Sequence, residues 1–168
     1  VVIYPTQAYH DAYKKILTYT DRYDLVVCSG GDGTIDEVVS GMMEREERVP
    51  VGYIPTGTTN DFANSLKIPK NILAAADNAV SGKAFPCDVG KFNDGIFVYI
   101  AAFGLFTDVS YQTKQEVKNV LGHLAYLLEG TKRLVNVPSY RMKVTHDGET
   151  IEEEFIFGMV TNSRSVGG

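Results

Sequence analysis

The chain has 168 residues, 44% hydrophobic and 22% charged, which is the balance of an ordinary globular protein with room for a core. Its net charge of −5 excludes the electrostatic footprint of a nucleic-acid binder and argues against a polybasic membrane patch. No apolar run approaches the ~20 residues that cross a bilayer, and no signal-peptide pattern opens the sequence, so a cytoplasmic location is expected.

The first part alternates strand and helix. Val1–Tyr4 reads as a strand, Ala8–Tyr19 as a helix, Leu25–Cys28 as a strand and Ile35–Glu47 as a helix. Val51–Ile54 and a helix over Asp61–Leu66 follow, closed by Pro69. Asn71–Val80 is a further helix, with Gly82 as its stop. Such alternation predicts a parallel sheet with helices on its faces. The Gly82-Lys83-Ala84-Phe85-Pro86 stretch is the only plausible boundary, giving an α/β domain over 1–83 and a β-rich domain over 84–168.

In the second part, Pro86–Phe92 and Ile96–Phe103 flank Asn93-Asp94-Gly95, a hairpin signal. Tyr140–His146 and Ile151–Thr161 flank Asp147-Gly148, a second one. Glu152, Glu153 and Glu154 read as a solvated strand that discourages edge pairing. Between the hairpins, Thr113 and Glu116 form a capping box that opens a helix. Val117, Val120, Leu121, Leu124, Leu127 and Leu128 make a broad stripe along it, more often a core face than a lipid groove. Cys28 and Cys87 both sit in strand-like runs, where a buried, reduced thiol is the default. His10, His123 and His146 have no ligand spacing.

Two loops carry the chemistry. Asp24-Leu25-Val26-Val27-Cys28 runs into Ser29-Gly30-Gly31-Asp32-Gly33-Thr34, where glycines free the backbone to approach a ligand. Thr34 and Glu37 stand at capping-box spacing, so the helix is expected to begin at about Ile35. Ile35, Val38, Val39 and Met42 then form its buried face. Strand, glycine turn and helix N-terminus together make a phosphate-holding geometry. Asp32 would repel that phosphate unless Mg²⁺ with its waters intervenes, or unless it accepts from a hydroxyl. Taken alone, the glycine loop could equally be a plain turn.

The second loop, Thr56-Gly57-Thr58-Thr59-Asn60-Asp61-Phe62-Ala63, follows another apolar run. Thr58 is expected at the helix N-cap with Asp61 in the first turn. Loops leaving the carboxyl ends of parallel strands line one crevice, so both should face the same site.

The GGDGTxxEVVxG run over Gly30–Gly41 with PTGTTNDFA over Pro55–Ala63 resembles the diacylglycerol kinase catalytic-domain family, especially its soluble bacterial members. Cys87-Asp88-Val89-Gly90 and Thr161-Asn162-Ser163 extend the resemblance over nearly the whole chain. GGDGT alone is shared with NAD kinases and, in variant form, phosphofructokinases; the paired loop is far more specific. The resemblance implies an α/β nucleotide-binding domain followed by a mostly antiparallel β domain.

It also implies an ATP-dependent, Mg²⁺-requiring enzyme that phosphorylates diacylglycerol to phosphatidic acid. Gly30, Gly31, Asp32, Gly33, Thr34 and Glu37 would belong to the ATP loop. Gly57, Thr58 and Asn60 would approach the nucleotide from the second loop, and Thr6 from the end of the first strand. Asp32, Asp61 and Asp88 resemble the family's aspartates tied to Mg²⁺, partly through water. In sphingosine kinases the acid matching Asp32 is viewed as the base; in bacterial diacylglycerol kinases a downstream glutamate has that role. Phe103, Leu105, Phe106 and the Thr113 helix are where an acyl-chain wall is expected.

The partner would be a lipid at the inner membrane face, with no nucleic acid and no transmembrane segment; the resemblance leaves the assembly state open, a homodimer included. Family members open with an N-P-x-S-G-like loop and continue to further metal ligands, so the chain reads as an internal fragment, truncated at both ends and incomplete as an active site on its own. Rival readings are a kinase of phosphatidylglycerol, a sphingoid base or an isoprenoid alcohol, a NAD kinase-like enzyme, and a non-catalytic nucleotide- or lipid-binding module.

Overall fold

A computed structural model describes residues 1–19, 22–104, 138–164 and 166. Its contacts divide the chain into two compact units, Val1–Tyr99 with Asn162–Val166, and Ile100–Thr161.

In the first unit, β1 (Val26–Gly30) and β2 (Val51–Pro55) pair in parallel, with Cys28 opposite Tyr53 and Gly30 opposite Pro55. Helices α1 (Asp11–Thr18) and α2 (Asp32–Met43) pack together closely enough that a Cβ on Gly41 would stand 2.9 Å from the Ile16 Cβ. Ile35, Val38 and Met42 are buried as the 3.6-residue period requires, and meet Ala12, Ile16, Cys28, Tyr53, Phe62 and Val98 in one core. α3 (Asp61–Ser65) is a single short helix, and α4 (Ile72–Ser81) lies on β2 through Ala75 and Ala79. Asn71 caps α4 by accepting the Ala74 N–H at 3.0 Å. Arg45 closes the far end of α1, donating to the carbonyls of Ile16, Leu17 and Tyr19 while its guanidinium stacks over the Tyr19 ring.

The hairpin of β3 (Gly90–Phe92) and β4 (Gly95–Phe97) turns through Asn93 and Asp94, with Asn93 at φ 53°. The run expected to continue to Phe103 breaks after β4, because the Asp36 carboxylate takes the Val98 N–H at 2.8 Å. The second unit resumes with β5 (Ile100–Gly104), antiparallel to β8 (Phe157–Thr161). β6 (Tyr140–His146) and β7 (Glu149–Phe155) form the other hairpin around Asp147 and Gly148, both at positive φ as a two-residue turn demands. The expected Ile151–Thr161 strand is thus two strands, divided at Ile156. Glu152, Glu153 and Glu154 are exposed as expected, and Glu152 pairs with Arg141 at 3.0 Å.

Several expectations are corrected. Val1–Tyr4 forms no ladder with any described strand, and Val1, Val2 and Ile3 are exposed. α1 starts at Asp11 rather than Ala8, after a turn in which His10 takes φ 62°. α2 starts at Asp32 with Gly31 as its N-cap, so Thr34 and Glu37 lie inside the helix and form no capping box. Cys87 is exposed in a ladder-free stretch, whereas Cys28 is buried. The expected helix from Thr113, with Leu105 and Phe106, lies outside the described residues. Phe103 is on β5, edge-on to Phe155 with ring centroids 6.3 Å apart.

Candidate functional site

β1 and β2 run side by side in the same direction, so the loops after Gly30 and Pro55 leave the same edge of the sheet. They are joined by backbone. Thr56 N–H donates to the Gly30 carbonyl at 2.9 Å, and a Cβ added to Gly57 would fall 2.4 Å from the Gly31 Cα. Glycine at 57 is therefore a steric requirement of two loops in contact. Gly33 differs: an added Cβ meets nothing within 4 Å, so its freedom serves open space beside the helix start.

The first turn of α2 tightens around one carbonyl, Gly31, which accepts from Thr34 N–H at 3.0 Å and Ile35 N–H at 3.1 Å. The Asp32 and Gly33 N–H groups are those that a helix start offers to an outside acceptor. Together with the helix dipole they favour an anion there.

In the described contacts the Asp32 carboxylate has backbone partners. Its two carboxylate oxygens accept N–H groups from Asp61 at 3.1 Å and Phe62 at 3.0 Å. Asp32 thus caps α3 from the first turn of α2. Thr58 does not cap that helix as expected: Asn60 stands at its N-cap in the left-handed region, φ 56°, and makes no side-chain cap. The Asn60 amide turns back instead, accepting from Gly57 N–H at 3.0 Å and donating to the Gly57 carbonyl at 2.7 Å. This closes Gly57-Thr58-Thr59 into a small ring. Tyr53 hydroxyl reaches the Gly30 carbonyl at 3.3 Å from beneath, and burial, then the Asp32 charge, push its pKa up. Thr58 and Thr59 line a cavity of about 190 Å³ with Pro55, Asn60, Ala63, Asn64, Ile68 and Lys70.

Glu37 serves a neighbouring loop. Its carboxylate accepts the His10 N–H at 3.0 Å, which ties the exposed loop of Thr6 to α2. Asp11 holds the same loop by accepting from Gln7 N–H at 2.8 Å and Tyr4 hydroxyl at 3.1 Å.

Asp61 is 2% exposed at the start of α3. Asp88 is exposed, and its carbonyl accepts from the Asn162 amide at 2.8 Å. Among the described residues no three His, Cys, Asp or Glu side chains converge to hold a metal directly. Three structural contributors were not legible as such: Asp36, Asn162 and the capping role of Asp32. Each acts on backbone distant in sequence, which no spacing reports.

The family model for the diacylglycerol kinase catalytic domain matches residues 1–92. The diacylglycerol kinase of Bacillus subtilis (strain 168) is 42% identical over 148 residues, covering 88% of this chain and 49% of that protein. A crystal structure of a diacylglycerol kinase from Bacillus anthracis str. Sterne matches with a TM-score of 0.71 at 32% identity, over 97% of this chain and 53% of that one. A second structure from that organism matches with a TM-score of 0.77 at 34% identity, over 97% and 54%. The chain spans about half the length of the curated relatives it matches.

Proposed function

Because the chain belongs to the diacylglycerol kinase catalytic-domain family, we propose that it carries the nucleotide-binding part of an ATP-dependent lipid kinase. The reaction is transfer of the γ-phosphoryl group of ATP to the free hydroxyl of diacylglycerol, giving phosphatidic acid. One observation carries the reading. The carboxylate of Asp32, in the first turn of α2, holds the helix that opens after the second loop, which supports reading the two glycine loops as one phosphate-binding edge.

Phosphoryl transfer asks a protein mainly for positioning and for stabilisation of charge on the equatorial oxygens. We assign the N–H groups at Gly31–Gly33 and the Thr34 and Thr58 hydroxyls to the phosphate oxygens. Thr6 would approach from the loop that Glu37 anchors. Asp32 would otherwise repel the phosphates, but its two N–H bonds offset that charge. A carboxylate with two such bonds keeps further lone pairs. Asp32 can therefore also order a water or accept the proton of the attacking hydroxyl from a fixed place.

Mg²⁺ retains waters and substrate phosphates as most of its ligands and needs few carboxylates. Asp32, Asp61 and Asp88, partly through water, are the residues that would hold it. When bound, it neutralises charge on the transferring group. The acceptor is a membrane lipid, so the reaction belongs at the inner membrane face; no described helix is long and apolar enough to cross a membrane.

The test is to give the intact protein labelled Mg·ATP with diacylglycerol in mixed micelles, and NAD⁺ in a parallel tube. Label in phosphatidic acid, lost in Asp32→Asn, is the expected result. Label in the NAD⁺ tube, or only with phosphatidylglycerol, a sphingoid base or an isoprenoid alcohol, would reassign the acceptor. ATP binding with no transfer to any of them would make the protein a binding module.

A further inference from the structure

The geometry points to Asn162 as a positioning residue that holds Asp88 in the cation site; the inference rests on the metal role given to Asp88 above. Asp88 lies in residues 83–89, which form no helix or ladder, and it is exposed. A carboxylate on such a stretch has no fixed place unless something holds its backbone. Asn162, 74 residues further along, does so. Its Nδ2 donates to the Asp88 carbonyl at 2.8 Å and to the Val98 carbonyl at 3.1 Å, and its own N–H donates to the Tyr99 carbonyl at 2.8 Å.

A primary amide has two N–H donors on one nitrogen, and here two carbonyls take them. No other side chain of this size supplies that pair. Aspartate would set carboxylate oxygens against two carbonyl oxygens, and serine has one proton to give. The Val98 end of the clamp is itself fixed, since the Val98 N–H is held by Asp36 of α2 at 2.8 Å. Asn162 therefore references the Asp88 backbone to the helix that starts at the glycine turn. This is the arrangement of a residue one step behind a ligand, whose loss changes metal affinity while the ligand itself stays in the chain.

The test is Mn²⁺ binding, read by electron paramagnetic resonance on the intact protein saturated with ADP, so that no lipid acceptor is involved. Asn162→Asp and Asn162→Ala should weaken Mn²⁺ binding about tenfold or more. Asn162→Gln, which keeps both amide protons, should recover part of the loss. In an Asp88→Asn background the Asn162 substitutions should add nothing, because they act through the residue already changed. Thermal melting of each variant identifies those that remain folded.

Folded Asn162 variants with wild-type Mn²⁺ affinity would overturn the inference and leave a structural bond. Losses that add to that of Asp88→Asn would overturn it too, by showing a route that bypasses Asp88. If Asp88→Asn alone bound Mn²⁺ like wild type, the metal role of Asp88 would fall and the clamp's function with it. A wrong lipid acceptor would leave all of these results unchanged.

Discussion

The carboxylate of Asp32, in the first turn of α2, accepts the backbone N–H of Phe62, in the first turn of α3, at 3.0 Å. Its other oxygen takes the neighbouring Asp61 N–H at 3.1 Å. Helix N-termini are usually capped by the residue before them. Here that residue, Asn60, is in the left-handed region with its amide spent on Gly57, so the cap comes from the other loop. One side chain thereby ends one loop and begins the next.

Replacing that side chain should damage stability and catalysis to different degrees. Asp32→Ala removes both bonds and should cost about 2 kcal/mol in chemical denaturation, the upper range for a lost cap. Asp32→Asn keeps one acceptor oxygen and should cost about 1 kcal/mol. In the intact protein its kcat should nevertheless fall about 10²-fold or more, the scale of a lost proton acceptor. Turnover near wild type in Asp32→Asn would confine Asp32 to the structural role.

Two glycines separate contact between loops from contact with ligand. Gly57→Ala places a Cβ 2.4 Å from the Gly31 Cα, backbone against backbone, so the loops must part. We expect a loss of 1–3 kcal/mol, roughly the cost of overpacking, together with weaker ATP binding. Gly33→Ala meets nothing within 4 Å and should melt near the wild-type temperature. If it also loses ATP affinity in calorimetry, the space beside Gly33 belongs to the nucleotide. Unchanged affinity would move the phosphates elsewhere along the edge.

Much of this arrangement was legible in the sequence, and the reasons differ between elements. Ile35, Val38 and Met42 showed their face by period, and Asn71 and Gly82 bounded α4 by the residue types that helix ends require. The two glycine loops stood out because strand, turn and helix follow without a gap. Helix starts were misjudged at both loops: Thr34 and Thr58 have the right spacing, but Gly31 and Asn60 stand at the N-cap positions, and α3 is capped from a distance by Asp32. Strand length was overestimated for Ile96–Phe103 because one carboxylate, Asp36, takes the Val98 N–H out of the ladder. Apolar character alone was not enough for Val1–Tyr4, which pairs with no described strand. Local pattern fixes an element's type, while side chains arriving from afar decide where it stops.

The two thiols should react very differently. Cys28 is buried in β1, and burial, with the Glu37 charge second, pushes its pKa up to about 12. At pH 8 its thiolate fraction is then on the order of 10⁻⁴, too little for rapid attack on a disulfide reagent. Cys87 is exposed, although burial of part of its surface and the Asp88 charge raise its pKa as well. A thiol titration of the native protein at pH 8 should count one fast group, identified as Cys87 by peptide mass. A second group should appear only on unfolding. Fast modification of Cys28 in the native protein would mean that β1 opens readily.

Asp36 gives the pH dependence its sign. Burial raises its pKa above 3.8, the Val98 N–H bond opposes the rise, and the Glu37 charge adds to it. A carboxyl whose native pKa is raised binds more protons folded than unfolded between the two values. Stability therefore falls as pH rises from about 3.8 to the native value, and the whole cost is present above it. Asp36→Asn keeps an oxygen for the Val98 N–H and removes the buried charge. It should melt above wild type at pH 7, with the gap closing as the pH approaches 3.8. Melting curves of both proteins across that range decide the matter. A wild type more stable than Asp36→Asn at pH 7 would mean that the bond to Val98 outweighs the cost of burying the charge.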